Sequence, residues 1–274
     1  MRPTSDVRVL DRIRPVYIFG FGLAYLFFAW FVSYLGDVHN FLALTDRLIN
    51  RGAERPFMWY YLFIEGSPTE MLQWTYLTIT VILCGCLVGQ LAERGYRLPA
   101  QFFGFMAAGT GIMLMEDAGN LRHRIKFYIR LAFGDTMALG IAVELVLYAI
   151  LGAFMIYVLV RFWRYPWRHR QTRNYMLAGY VLYAVAAVAS ATRHLGDWYD
   201  HAGAWLLSVA GLSEPFNALF VPTAVGRPIG FYIMDFLVEE SIELLAASAL
   251  CASVFAYLRE FQRNPGIASL DDPD

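Results

Sequence analysis

MALGIAVELVLYAILGAFMIYVLVRF, residues 137–162, carries only two charges, Glu144 and Arg161, in an otherwise apolar run. A helix rises about 1.5 Å per residue, so about 20 apolar residues cross the roughly 30 Å hydrocarbon core of a bilayer. Lipid offers no partner for an unpaired backbone group, which leaves helices and closed barrels as the spanning structures. This run is too long for a barrel strand and does not alternate. It is a transmembrane helix.

Outward from it, five more runs meet the same test: Pro15–Leu35, Glu70–Leu91, Pro99–Glu116, Tyr175–Thr192 and Pro228–Tyr257. The chain as a whole is 58% hydrophobic and 16% charged, against about 25% charged in an average soluble domain. The apolar surplus requires lipid as a second solvent. The first run has span length and no small-residue cleavage site after it, so it is a span and not a signal peptide. A net charge of −1 gives nucleic acid nothing to bind.

The predicted fold is therefore all-α: a polytopic transmembrane helical bundle of about six spans, with interfacial helices on the non-cytoplasmic side. Residues 1–263 form one transmembrane domain, and 264–274 form a disordered cytoplasmic tail. Lys and Arg favour the cytoplasmic side. The cluster Arg161-Phe-Trp-Arg-Tyr-Pro-Trp-Arg-His-Arg170 is the strongest vote, and it puts both termini in the cytoplasm of an inner (plasma) membrane. Arg122, Arg124, Lys126 and Arg130 then fall outside, which an amphipathic surface helix accommodates. Asn40–Asn50 and Ala202–Phe220 are the other candidate interfacial segments. Trp59, Tyr60, Tyr61, Trp74, Trp198, Tyr199 and Trp205 fall where an outer aromatic belt would lie.

The three cysteines, Cys84, Cys86 and Cys251, lie in apolar segments and are small packing residues. Gly104, Gly109 and Gly111 allow close helix packing. No Walker pattern, Gly-x-Ser-x-Gly elbow or intramembrane Lys occurs. Glu-Glu-Ser-Ile-Glu-Leu-Leu at 239–245 resembles a signature of bacterial multi-pass proteins of unknown function, and the resemblance brings no activity with it.

Ionisable residues inside a membrane are costly and mark function or pairing. Here they crowd the outer halves of the spans. Glu116, Asn120 and His123 share a face if the third span continues as a helix. So do His194, Asp197 and His201 at the end of the fifth. Asp235, Glu239 and Glu243 follow at i+4 steps in the sixth, with Glu243 about 22 Å from Pro228 along the axis. Imidazoles and carboxylates on facing helices are the ligands of a divalent metal such as Zn, Fe or Mn. His194, His201, Asp197 and Glu116 are the candidate ligands, and Glu239 or Glu240 the general base. Arg122 and Arg193 would hold an anionic group on a lipid or lipid-linked substrate. Two other readings use the same residues. One is a proton- or cation-coupled transporter with Asp235, Glu239 and Glu243 as relay. The other is a non-catalytic subunit whose charges meet a membrane protein partner.

Overall fold

The computed structural model describes residues 12–53, 57–134, 136–219 and 227–269, with no strand among them. Six helices are long and apolar enough to cross a membrane. The fold class read from the sequence is thereby established.

The first span, α1, covers Pro15–Asp37. A left-handed turn at Asn40, with φ 45°, leads through Phe41–Ala43 into the short helix α2, Leu44–Asn50. Helix α3, Met58–Phe63, follows. Its first two amides, Met58 and Trp59, donate to the Asp37 carboxylate, the second at 2.9 Å. An acid at a helix N-terminus satisfies amides that have no partner within the helix. The second span, α4, is Pro68–Glu93. It opens with Ser67 as cap, its hydroxyl accepting from the Glu70 amide, Pro68 at the first position, and the Glu70 carboxylate accepting from the Gly66 amide one residue before the cap.

The third span, α5, covers Arg97–Asp117. Asn120, with φ 51°, breaks the chain before α6, Leu121–Phe133. The fourth span, α7, is Met137–Phe162, matching the run that decided the fold residue for residue. The short α8, Arg164–Arg168, leads to the fifth span, α9, Arg170–Thr192. Helices α10 (Trp198–Val209) and α11 (Ser213–Leu219) occupy the segment expected to lie at the interface. The sixth span begins as α12, Ile229–Tyr232, passes through a π-helical turn at Ile233–Val238, and continues as α13, Glu239–Arg263.

Contacts divide the chain into two compact units. The first contains the described residues of 73–184 and 245–269 with the start of α1. Its core holds Phe102, Phe103, Met106, Leu250, Val254, Tyr257 and Phe261, all but completely buried. Small residues let helices close in. Gly109 abuts Met155 and Phe154, and a Cβ at Gly179 would press on Leu250. Gly111 has open space around it, so the packing role expected there belongs to Gly109 alone among the two. Cys84 and Cys251 are buried and reduced, while Cys86 is exposed on its span. The second unit contains residues 22–72 and 185–244.

The near end of the tail takes a defined turn. Pro265–Ala268 form a 3₁₀ turn, Ala268 is 2% exposed, and Arg168 donates to the Ser269 carbonyl. A proline at the first turn position and an apolar residue reaching back to the core hold this stretch. Residues 270–274 lie outside the described residues. Trp59 and Tyr199 depart from the belt reading, being 2% and 1% exposed. Trp205, at 63% exposed, fits it.

Candidate functional site

The charged residues singled out in the sequence fall into two sets, one in each unit.

In the second unit the set grows around the end of α9. A helix running unbroken from 192 to 201 would align His194, Asp197 and His201. The chain does not run so. Thr192 ends α9, Gly196 turns at φ 75°, and Asp197 stands at the cap position of α10. Glycine makes that turn inexpensive, and it destroys the i, i+3, i+7 face. Asp197 and His201 are exposed, while His194 turns inward. Its ring stacks on Phe231 at 6.0 Å, and its Nδ1 lies 3.4 Å from an Arg227 nitrogen. Arg227 lies over Phe231, 5.1 Å from the ring centroid, and reaches Asp200 at 4.0 Å.

Deeper in, the side chains are committed more tightly. Arg193 pairs with Asp235 at 2.7 Å, both side chains about 15% exposed or less. The Tyr199 hydroxyl donates to Glu239 at 2.5 Å, and the Ser190 hydroxyl is also hydrogen-bonded to Glu239. Glu239 is 8% exposed and Tyr199 1%. Burial, and next the Glu239 charge, push the Tyr199 phenol well above its usual value, so it remains a protonated donor. Glycines set this geometry. A Cβ on Gly203 would collide with the Gly230 backbone, and one on Gly230 with Asp200 and Ala204, so α10 and α12 meet backbone to backbone. That contact sets Tyr199 beside the sixth span. The π-helical turn between Asp235 and Glu239 widens the helix at the same place. Such turns recur at functional sites, and no spacing rule in the sequence announced this one. Glu240 and Glu243 are half-buried, each with interactions of its own.

In the first unit, Asn120 in the left-handed conformation ends the alignment of Glu116, Asn120 and His123. Helix α6 turns Arg122 and Lys126 inward, while Arg124 is exposed. Arg122 pairs with Glu116 at 3.0 Å and donates to the Tyr148 hydroxyl. Lys126 pairs with Glu144 at 2.6 Å, the carboxylate side chain being 2% exposed. Asp117 accepts from Gln73 at 2.7 Å and from Trp74 at 3.0 Å. The outward positions of α6 are Phe127, Tyr128, Leu131 and Phe133, exposed by 61–81%. The helix is amphipathic as expected, but Arg122 and Lys126 meet protein, and its exposed side carries these apolar residues together with His123 and Arg124.

Among the described residues, no three His, Cys, Asp or Glu side chains gather as a metal centre. Glu116 spends its carboxylate on Arg122, and His194 faces a guanidinium. Sequence reasoning singled out Glu239, Asp235 and Arg193, and it passes over Ser190, since a serine in a span reads as a packing residue. It missed Tyr199 as their partner, because an aromatic residue near a span end carries the same signal whether it faces headgroups or a carboxylate. No family model, curated protein or solved structure matches this chain.

Proposed function

We propose that this chain is a multi-pass inner-membrane protein of bacterial type that exchanges a proton at Glu239, the relay reading of its intramembrane acids. One observation carries it. Glu239 is buried and bonded to two hydroxyls, Tyr199 and Ser190, and among the described residues no cation forms an ion pair with it. The nearby charges of Asp235 and Arg193 cancel each other across 2.7 Å. The proton on Glu239 therefore switches this group of residues between neutral and a net charge of −1. Intramembrane carboxylates of this kind serve proton pathways and coupled transport. Tyr199 and Ser190 stabilise the ionised form by donation, and Arg193 is held one ion pair away, where it tunes the site without permanently neutralising it.

Infrared difference spectroscopy on the protein in lipid tests this directly. A protonated carboxylic acid has a carbonyl band distinct from that of a carboxylate, and that band should titrate with pH. Glu239→Gln should remove it. Tyr199→Phe should keep it and move its midpoint. A titrating band unchanged in Glu239→Gln, or no band at any pH, would sink the proposal. Metal analysis of the same preparation addresses the enzyme reading. Stoichiometric Zn, Fe or Mn that disappears in His194→Ala and His201→Ala, but not in His169→Ala, would favour hydrolysis of a lipid-linked substrate over proton exchange.

A further inference from the structure

The run from Arg161 to Arg168 closes the fourth span and takes no part in the chemistry of Glu239. Phe162 and Tyr165, each 4% exposed, turn into the protein. Between them Trp163 and Arg164 point outward, as does Arg161 before them. Beside this corner lies a groove of about 890 Å³. Its trough is formed by Leu98, Ala153, Ile156, Tyr157 and Val160. Ile156, Tyr157 and Val160 are 63%, 57% and 68% exposed. On a spanning helix, surface of that kind faces acyl chains. One end of the groove carries Arg161, Trp163 and Arg164.

The arginines decide what fits. Arg161 lies over the Phe162 ring at 5.4 Å, and among the described residues neither it nor Arg164 is paired with a carboxylate. Arg168, close by in sequence, is already committed to the Ser269 carbonyl. A guanidinium presents a planar fork of donors that matches a phosphate in bidentate fashion. An indole beside it is the usual anchor at headgroup level. We infer that this groove binds an anionic phospholipid, with one acyl chain in the trough and its phosphate on Arg161 and Arg164. A free phosphate would use the arginines alone, whereas a lipid needs both the arginines and the trough. The inference does not depend on the role of Glu239.

Native mass spectrometry of the full chain, released from mild detergent with phosphatidylglycerol or phosphatidylcholine of matched chains, tests it. Two basic residues near an anionic surface, at about 1 kcal/mol each, give about a thirtyfold preference, so phosphatidylglycerol should be retained about that much better. Arg161→Ala with Arg164→Ala should erase the preference, and the double Lys variant should keep most of it. Val160→Trp, at an exposed position, fills the trough and should lower retention of both lipids with the cations in place. Arg124→Ala, on the exposed face of α6, should change nothing. Inorganic phosphate should not displace the lipid. Retention of phosphatidylglycerol undiminished by the double Ala variant, or by Val160→Trp, or its release by inorganic phosphate, would overturn the assignment. Size-exclusion profiles matching the parent protein show that the variants remain folded.

Discussion

At the scale of single residues, His169 shows how a local bond becomes a pH dependence. It caps α9, its Nδ1 lying 2.8 Å from the Thr172 hydroxyl and accepting from the Thr172 amide at 3.4 Å. Only the neutral ring has a lone pair there. Burial holds the imidazole below its ordinary value, with the Glu260 charge opposing that effect more weakly. The unfolded chain thus takes up a proton at higher pH than the folded protein does. Stability from this group is complete above roughly pH 6.5 and drains away as pH falls below it. Thermal unfolding of the wild type should be more acid-sensitive than that of His169→Asn, which caps without titrating. Equal acid sensitivity in the two would show that His169 does not control the effect. From the sequence, this histidine was one of a basic cluster and nothing more. The cap depends on where α9 begins, which hydropathy alone does not specify.

At the scale of elements, the spans were legible and the breaks were not. Hydropathy located six helices because lipid imposes the same requirement on every residue of a span. It said little about Gly196 or Asn120, where one backbone angle turns the chain between two helices and scatters a proposed face of ligands. It said nothing of the π-helical turn at Ile233–Val238. The close approach of α10 to α12 was equally silent, since Gly203 in His-Ala-Gly-Ala-Trp has no neighbour in sequence that reveals Gly230. Gly203→Ala tests that contact. The added carbon meets backbone atoms, which cannot rotate away, so about 1–3 kcal/mol of destabilisation is expected from overpacking. Gly85→Ala, in the open on α4, should instead be neutral or gain up to about 1 kcal/mol from helix propensity. Unfolding midpoints in the same detergent compare the two. If both substitutions are silent, the backbone contact does not hold Tyr199 in place.

For the whole molecule, the distribution of exposure follows from two solvents. The first span is 22% buried over its most apolar window and the last 83%. Phe27, Phe28 and Phe31 on α1 are exposed by 58–69%, a burden in water and none in acyl chains. The last span instead encloses Ala246, Ala247, Ala249, Ala252 and Ala256, all at 2% exposed or less, small enough for neighbouring helices to approach. Which end of these spans faces the cytoplasm rests on Arg alone. Arg161, Arg164, Arg168, Arg170 and Arg173 surround α8 within one short connection. Of the cations placed on the other side, three spend their charge within the protein: Arg122 on Glu116, Lys126 on Glu144, Arg193 on Asp235. Arg124, exposed on α6, is the cation that still counts against the map. Reporter fusions after Arg97, Arg170 and Asp274 should read cytoplasmic, and one at Gly226 should read external. Arg164→Glu with Arg168→Glu should weaken that preference, while Lys126→Gln should leave it intact. A cytoplasmic reading at Gly226 together with an external one at Arg170 would invert the protein, placing Glu239 toward the cytoplasm and the arginine-rimmed groove in the opposite leaflet.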